Sequence, residues 1–226
     1  MGQKMAAASS PAQRRHRRIS NAEQRLQALP FLTAFESVSL SLSGFLFRDN
    51  FLGPRMAREI RAEALRYVKN GTLRPAGIGR QGERNESVRG DHLCWMEKLD
   101  AGPGVKTLMK QFEALRLAVN REFYLGLDRY EMQLAHYPPG SQGYKKHLDA
   151  FSGRNERNRR LTAIYYLNPG WLPGDGGELA VYPPSTELHL EPLADRLVVF
   201  FSEQLEHAVL PNHKGRLALT AWFHAP

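Results

Sequence analysis

Apolar and polar positions follow two different patterns along the chain, and the change between them falls near residue 130. In residues 54–69, apolar side chains recur at helical spacing after an initial proline, which predicts a helix ended by an Asn-Gly pair. Residues 105–124 repeat this spacing and predict a second helix. A weaker helical pattern covers residues 22–29. The first half of the chain is therefore expected to contribute mainly helices.

Two stretches in this half depart from the helical spacing. Residues 38–47, with the sequence VSLSLSGFLF, alternate apolar and polar side chains, which predicts a strand. Residues 71–93 are rich in glycine and arginine and show little periodicity. Long loops in compact domains are usually either functional or disordered, so we expect this second stretch to be one or the other.

The second half of the chain consists of short apolar or alternating runs separated by Gly, Pro and Asn, a pattern that predicts strands. The seven runs are EMQLAHY, GYKKHLDA, RLTAIYYLN, GELAVYP, RLVVFFS, EHAVLP and RLALTAWFHA. Strands preceded mainly by helices favour a mainly β fold with supporting α-helices. Within this class, the double-stranded β-helix, or jelly roll, places ligands around a central cavity. We expect one domain over residues 21–226, with helical support to about residue 125 and a jelly-roll core over about 130–226.

The formal charge of +8 suggests nucleic-acid binding, but much of the excess lies at the N-terminus. Residues 1–20 contain one lysine and four arginines without an acidic residue, and the rest of the chain is close to charge balance. We interpret this segment as a basic disordered tail. The tail has two alternative interpretations. It would contact nucleic acid or an acidic partner, or it would act as a transit peptide.

The chain lacks the sequence signals of membrane and secreted proteins. No run of 18 or more apolar residues occurs, and the N-terminus has no apolar segment of the signal-peptide kind. Cys94 is the only cysteine, which excludes an intramolecular disulfide and a cysteine-cluster zinc site. We therefore expect a cytoplasmic protein, and we expect it to act as a monomer.

Candidate metal ligands lie in the strand-rich half. His147 and Asp149 are two positions apart in an extended segment, so their side chains are expected to leave the same face of a strand. His207, from a distant predicted strand, would complete a set of two histidines and one carboxylate. Such a set leaves coordination positions open and is typical of non-haem iron(II) oxygenases.

The other histidines have simpler interpretations. His136 is the strongest rival ligand, because it lies in the predicted strand that leads to His147. The rest are interpreted as tail, loop, turn-like or terminal residues: His16, His92, His189, His213 and His224.

Arg216 is the candidate anion-binding residue. It follows His207 by nine positions and lies in the otherwise apolar run RLALTAW, where an unpaired guanidinium would be costly to bury. A carboxylate on a bound ligand matches the guanidinium in a bidentate manner. An internal salt bridge to Asp or Glu is the alternative. The predicted catalytic set is therefore His147, Asp149, His207 and Arg216.

These residues lie in stretches that resemble the iron(II)- and 2-oxoglutarate-dependent prolyl 4-hydroxylases, of the hypoxia-inducible-factor type and its bacterial relatives. The resemblance extends over about residues 44–225. The matching stretches are RGDHLCW, HYPPGSQGYKKHLD, AIYYLNPGW, GGELAVYP and EHAVLPNHKGRLALTAWF. Their order and spacing are far more specific than the His-x-Asp pair alone.

The resemblance implies cofactors and the residues that bind them. It implies iron(II) at the two histidines and Asp149, with 2-oxoglutarate and O2 as cosubstrates and ascorbate as a further candidate. Arg216 and Tyr166 would bind one carboxylate of 2-oxoglutarate, although alternation alone does not decide whether Tyr165 or Tyr166 points inward. The other implied cofactor-binding residues are Tyr137, Leu179 and Thr220. The implied substrate-binding residues are Tyr144, Trp222, Arg89, Asp91 and Arg159.

The resemblance also implies a reaction and a class of partner. The reaction is C4 hydroxylation of a prolyl residue in a protein, with succinate and CO2 as coproducts, and oxygen sensing is an associated role. Bacterial relatives suggest elongation factor Tu as the protein substrate. The stretch SGRNERNRR after Asp149 is strongly basic, so we expect substrate recognition to differ from that of the animal enzymes.

Three other functions are weighed against this one. A nucleic-acid demethylase of the same superfamily typically has a second arginine six residues after the first, but Trp222 occupies that position, and we do not expect nucleic acid as a partner. A small-molecule or free-proline hydroxylase fits less well with the arginine-rich loop, which is suited to clamping a peptide. A non-catalytic jelly-roll binding module would be expected to have lost at least one residue of the site.

Overall fold

The computed structural model describes residues 31–77, 85, 87–96, 100–150 and 159–226. Its helices are α1 (Ala34–Ser43), α2 (Pro54–Lys69) and α3 (Pro103–Phe123). The strands are β1 (Phe45–Arg48), β2 (Arg74–Pro75), β3 (His92–Trp95), β4 (Arg129–Tyr137), β5 (Tyr144–His147), β6 (Arg159–Tyr166), β7 (Leu179–Tyr182), β8 (Leu188–Leu190), β9 (Leu197–Phe201), β10 (Glu206–Val209) and β11 (Arg216–His224). Among the described helices, none is long and apolar enough to cross a lipid bilayer.

The strands form two antiparallel sheets. The larger has the order β1-β9-β6-β11-β4-β3-β2, and the smaller has the order β5-β10-β7-β8. Apolar residues from both sheets, including Tyr166, Leu179, Val181 and Phe200, form one buried cluster. The double-stranded β-helix expected from the sequence is confirmed, and each of the seven predicted strands is present.

The last strand shows how period-two alternation builds both sides of the larger sheet. Leu217, Leu219, Ala221 and Phe223 of β11 belong to the buried cluster that includes residues of the helices. The residues between them, Arg216, Ala218, Thr220 and Trp222, line a cavity. Because successive side chains of a strand leave opposite faces, one strand can support the core and the cavity at once.

The two helices predicted at residues 54–69 and 105–124 are confirmed as α2 and α3. The buried carboxylate of Glu63 on α2 accepts the backbone N–H groups of Gly104 and Val105 at 2.7 and 3.1 Å. These bonds satisfy donors at the N-terminus of α3 that have no partner within the helix. The apolar face of α3 is fully buried, at Val105, Leu108, Phe112, Leu115 and Val119.

Asp195 joins the helical part of the chain to the strands. Its buried carboxylate accepts the backbone N–H groups of Leu52 and Gly53, each at 2.8 Å, immediately before α2 begins. The hydroxyl of Tyr165 on β6 donates to the same carboxylate at 2.8 Å. Three donors from two separated segments therefore converge on one side chain.

The strand predicted at residues 38–47 is wrong over most of its length. Residues up to Ser43 belong to α1, and only the end of the run enters β1. Thr33 and Glu36 form a reciprocal capping box at the start of α1, and Gly44 ends it in the left-handed conformation with φ of 75°. These signals at the two ends favour a helix, and they outweigh the preference for a strand that the alternation of the VSLSLS run indicates.

Two histidines lie on strands that the sequence pattern did not predict. His189 was expected in a turn-like segment but lies on β8, which pairs with β7. His92 was expected in a loop but lies on β3, which pairs with β4. Parts of the other predictions fall outside the described residues, namely the tail, the helix at residues 22–29, residues 78–84 and 86 of the stretch 71–93, and residues 152–158 of the basic stretch after Asp149.

Candidate metal centre

Three predicted metal ligands meet between two neighbouring strands. His147 ends β5, and His207 on β10 is its direct partner in the antiparallel register. Asp149 lies two residues beyond His147, after β5 has ended, so the expectation that both side chains leave one strand face is wrong for Asp149. One ligand atom from each of the three residues lies within 4.8 Å of the others.

The orientation of the histidines suits metal binding. Nδ1 of His147 lies 2.7 Å from the carbonyl oxygen of Lys145, and Nδ1 of His207 lies 3.2 Å from that of Leu205. A carbonyl can only accept, so each Nδ1 carries the hydrogen and each Nε2 presents a lone pair. These Nε2 atoms lie 3.6 and 3.7 Å from the two oxygens of Asp149. Two imidazoles and one carboxylate therefore present a donor set that fits iron(II).

The electrostatics of the cluster favour the ligating forms. Burial disfavours charge on His207 and lowers its pKa to about 4, so its imidazole is neutral near pH 7. Burial alone would raise the pKa of Asp149, but His207 and His147 outweigh it and hold this pKa well below its usual value. A neutral imidazole and an ionised carboxylate are the forms that bind divalent metals.

Two hydroxyl groups support the carboxylate and were not anticipated from the sequence. Thr162 on β6 donates its hydroxyl hydrogen to Oδ2 of Asp149 at 2.8 Å, and its Oγ1 lies 2.8 Å from Oγ of Ser202. Both hydroxyl residues are fully buried. Alternation along β6 could have placed Thr162 on the same face as Tyr166, but no sequence pattern indicates that Ser202 reaches it.

The cluster opens into a cavity of about 320 Å³. With one exception, every residue assigned a role by the sequence lines this cavity: Arg89, Asp91, Tyr137, Tyr144, His147, Asp149, Arg159, Leu179, His207, Arg216, Thr220 and Trp222. The exception is Tyr166, whose hydroxyl lies 3.3 Å from the guanidinium of Arg216. The cavity also contains residues that the sequence did not single out, among them Trp95, Gln133 and Ile164.

Arg216 is buried, with 2% of its surface exposed, and its Nε donates to the carbonyl oxygen of Gly177 at 2.8 Å. Its guanidinium carbon lies 5.1 and 5.0 Å from the ring centres of Tyr137 and Tyr166. No aspartate or glutamate in the described ranges forms an ion pair with it, so the alternative of an internal salt bridge has no support there. Tyr166, rather than Tyr165, points toward this guanidinium. A buried cation without a carboxylate partner among the described residues fits a ligand carboxylate.

One side of the cavity is formed by a stack of charged and aromatic groups. Arg89 donates two hydrogen bonds to Asp91, at 2.6 and 2.9 Å, and a third to Gln133 at 3.3 Å. Its guanidinium carbon lies 4.7 Å from the ring centre of Tyr144. Tyr144 in turn stacks on His147, with ring centres 3.7 Å apart. The C-terminal part of the glycine- and arginine-rich stretch, at Arg89, therefore contacts Tyr144 on the strand that carries His147.

Another part of the cavity wall combines a cation with two indoles. The Arg159 guanidinium carbon lies 4.0 Å from the ring centre of Trp222. The ring centres of Trp222 and Trp95 are 5.8 Å apart. Glu131 accepts two hydrogen bonds from Arg159, at 3.1 and 2.6 Å. Burial opposes the ionisation of Glu131, but His224 and Arg159 lower its pKa, so it stays charged. Glu131 was missed from the sequence, although it shares a face of β4 with Gln133.

The rival histidine does not join the centre. His136 on β4 lies opposite His92 on β3 in the strand register. Neither histidine lines the cavity that contains the metal ligands. Within the described part of the chain, the only group of side chains placed to bind a metal is His147, Asp149 and His207.

Comparison with known families agrees with this arrangement. The family model of the 2OG-Fe(II) oxygenase superfamily matches residues 132–224. The mouse protein "Prolyl hydroxylase EGLN3" is 31% identical over 189 residues, which cover 80% of this chain and 78% of the mouse protein. A nematode relative from Caenorhabditis elegans, "Hypoxia-inducible factor prolyl hydroxylase", is 30% identical and covers 82% of this chain, but the chain spans only 27% of the length of that relative.

Two solved structures share the fold. A prolyl-4-hydroxylase from Pseudomonas putida is 38% identical, with a TM-score of 0.75, and the match covers 84% of this chain and 98% of that one. A prolyl hydroxylase from Trichoplax adhaerens, solved with a peptide fragment of the hypoxia inducible factor oxygen degradation domain, is 28% identical. Its TM-score is 0.80, and the match covers 89% of this chain and 92% of that one.

Proposed function

This chain belongs to the prolyl 4-hydroxylase family of iron(II)- and 2-oxoglutarate-dependent dioxygenases, and on that premise we propose that it hydroxylates a prolyl residue at C4 in a protein substrate. The observation that carries the proposal is the convergence of four groups on one cavity. His147, Asp149 and His207 present a metal donor set, and the buried guanidinium of Arg216 lines the same cavity. The donor set fits iron(II), and the guanidinium fits a carboxylate of 2-oxoglutarate, as the reaction of this family requires.

We assign iron(II) to the two histidines and Asp149. Bound there with 2-oxoglutarate and O2, iron supplies the oxidant for hydroxylation of a carbon–hydrogen bond, with succinate and CO2 as coproducts. The protein groups hold the donor atoms in place before binding, because Nδ1 of each histidine is already bonded to a backbone carbonyl. This preorganisation is the contribution of the chain to the metal chemistry.

Arg216 and Tyr166 are assigned to the carboxylate of 2-oxoglutarate that lies away from the metal. The guanidinium offers donors in a fixed plane, and Gly177 and the two tyrosine rings hold that plane in position. The fully buried Leu179 and the nearly buried Tyr137 line the same cavity and keep water from this ion pair. Thr220 offers a hydroxyl from the same face of β11 as Arg216.

The substrate is assigned to the other end of β11. Arg216 and Trp222 lie six residues apart on one face of this strand, which corresponds to about 20 Å. Arg159 and Trp222 form a flat cationic and aromatic surface there, and Arg89, Asp91 and Tyr144 form a second polar surface on the cavity wall. Such surfaces suit the rings and amide groups of a polypeptide. The peptide-bound relative from Trichoplax adhaerens supports a protein substrate.

The charges around the cavity give less support to a nucleic-acid substrate. Arg89 is paired with Asp91, and Arg159 is paired with Glu131, so both cations are already neutralised by carboxylates. A phosphate backbone is bound mainly by cations that it neutralises itself. Trp222 also occupies the position where a second arginine would be expected in a demethylase.

Elongation factor Tu is the specific substrate that we propose to test first, on the basis of the resemblance to bacterial relatives. The purified chain would be incubated with iron(II), 2-oxoglutarate and elongation factor Tu from the same organism. Tandem mass spectrometry should find one added oxygen on a proline, and a His207→Ala variant should leave that proline unmodified. The same incubation would be run with an extract of cells that lack this protein. If elongation factor Tu is unchanged while a proline of another protein in that extract gains one oxygen, the proposed substrate is wrong but the proposed activity stands.

A further inference from the structure

The carboxylate of Asp149 is held by a chain of two buried hydroxyl groups that reaches it from other parts of the fold. Thr162 lies in β6, Ser202 follows β9, and Asp149 follows β5. The Thr162 hydroxyl is 2.8 Å from Oδ2 of Asp149 and 2.8 Å from the Ser202 hydroxyl. Three segments that are far apart in sequence therefore meet at one metal ligand.

The direction of these hydrogen bonds follows from the number of hydrogens available. An ionised carboxylate can only accept, so Thr162 must give its single hydroxyl hydrogen to Asp149. Thr162 can then only accept from Ser202, which makes Ser202 the donor in the second bond. Both hydrogen bonds therefore point the same way, from Ser202 to Thr162 and from Thr162 to Asp149. We call this pair of hydrogen bonds the relay.

The backbone around Ser202 holds the start of the relay in place. Its N–H donates to the carbonyl oxygen of Arg160 at 3.1 Å, and its carbonyl oxygen accepts the N–H of Ala150 at 3.2 Å. Ser202 is thereby tied both to the start of β6 and to the residue after Asp149. Thr162 adds stiffness, because a β-branched side chain has restricted rotation about χ1.

We propose that Thr162 and Ser202 are positioning residues that hold the Asp149 carboxylate in one orientation and commit one of its oxygens to a protein hydrogen bond. The terminal torsion of an aspartate is broad, so without such a contact the carboxylate can turn and offer both oxygens to a metal. Binding through both oxygens would use a coordination position that 2-oxoglutarate and O2 need. The relay therefore keeps the metal site open for its cosubstrates, and this role rests on the proposed metal assignment.

Cobalt(II) is a suitable probe, because its visible absorption reports the coordination environment and its affinity can be measured without turnover. Thr162→Val keeps the shape of the side chain but removes the hydroxyl, and it should weaken cobalt(II) binding about 10- to 100-fold and change the absorption band. Thr162→Ser restores the hydroxyl and should bind cobalt(II) close to the wild-type affinity. Ser202→Ala should have a smaller effect in the same direction.

A double-variant cycle separates the relay from a general loss of packing. Because Ser202 acts through Thr162, adding Ser202→Ala to Thr162→Val should cause little further loss of cobalt(II) affinity. Equal affinity and an equal spectrum in Thr162→Val and wild type would overturn the proposal, as would full additivity of the two changes. If Thr162→Val does not fold, Ser202→Ala with a wild-type spectrum and affinity overturns it instead. Failure of the wild-type protein to bind cobalt(II) would refute the metal assignment itself.

Discussion

His147 and His207 face each other as register partners on β5 and β10, with their ring centres 4.3 Å apart. The antiparallel pairing of two short strands brings these distant residues together. A shift of the register by one residue would turn one of the rings to the other face of the sheet. The metal centre therefore depends on the correct pairing of the smaller sheet, and the two imidazoles are expected to act as one unit.

Loss of either imidazole should abolish metal-dependent turnover. We expect His147→Ala and His207→Ala each to bind iron(II) at least about 10-fold more weakly and to release no detectable succinate from 2-oxoglutarate. His189→Ala is the matched control, because this exposed histidine on β8 pairs only with Glu187 among the described residues. Succinate release at the wild-type rate from His207→Ala would contradict the ligand assignment.

Removal of the buried guanidinium should act on the cosubstrate. Arg216→Ala leaves the 2-oxoglutarate carboxylate without its partner, and we expect its KM to rise about 100-fold, equivalent to about 3 kcal/mol. Tyr166→Phe removes one hydroxyl contact and should raise the same KM about 3- to 10-fold. Steady-state kinetics with varied 2-oxoglutarate tests both values. Metal affinity in the absence of 2-oxoglutarate should be unchanged, and an unaltered KM in Arg216→Ala would refute its role.

The pair of Arg159 and Glu131 should affect the protein substrate instead. Arg159→Ala removes the cation that lies over the ring of Trp222. We therefore expect the KM for a peptide that contains the target proline to rise about 10-fold. Glu131→Gln keeps the shape but releases the guanidinium from its charged partner, so a smaller rise is expected. The KM for 2-oxoglutarate should not change in either variant. A change confined to 2-oxoglutarate would mean that this pair contacts the cosubstrate rather than the peptide.

The metal ligands and Arg216 could be predicted from the residue pattern, whereas the roles of Tyr166 and Trp222 followed only from the family resemblance. Arg216 and Trp222 share one face of β11 by simple periodicity, and the His-x-Asp pair is a local motif. The contacts of Thr162 with Asp149 and Ser202 could not be predicted, since they join segments whose relative positions only the tertiary structure determines. The same holds for Glu131, whose role depends on Arg159 in a different strand.

The error at residues 38–47 has a local physical cause. An alternating run of serines and apolar residues is compatible with a strand, but Leu40 alone of the apolar residues Val38, Leu40 and Leu42 is buried. The capping box of Thr33 and Glu36 lies before the run, outside the window that suggested a strand. Alternation over six residues therefore carried less information than the helix termini on either side.

Cys94 should behave as an inert core thiol. It is 9% exposed, and burial raises its pKa to about 11, so the nucleophilic thiolate is scarce near neutral pH. We expect iodoacetamide to label the native protein slowly at pH 7.5 and the urea-unfolded protein rapidly. Intact-mass spectrometry over time measures both rates. Equal labelling rates in the two states would show that the thiol is accessible in the folded protein.

Asp195 should be important for stability rather than for chemistry. Asp195→Ala removes the acceptor for Leu52, Gly53 and Tyr165 at a residue with φ of 66°, and we expect a loss of about 3 kcal/mol in the free energy of unfolding. Asp195→Asn tolerates this backbone conformation and keeps one acceptor oxygen, so it should lose less. Urea titration of the two variants gives the difference. Equal stability of Asp195→Ala and wild type would show that these bonds contribute nothing net.

The most direct test of the central claim is the dependence of 2-oxoglutarate binding on the metal. Calorimetric titration with manganese(II), which does not turn over, would measure the affinity for 2-oxoglutarate with and without metal in wild type, His207→Ala and Arg216→Ala. A single cavity that holds both ligands predicts tight binding only in metal-loaded wild type, with weak binding in both variants. An affinity for 2-oxoglutarate that is the same with and without metal, and the same in wild type and both variants, would contradict the account.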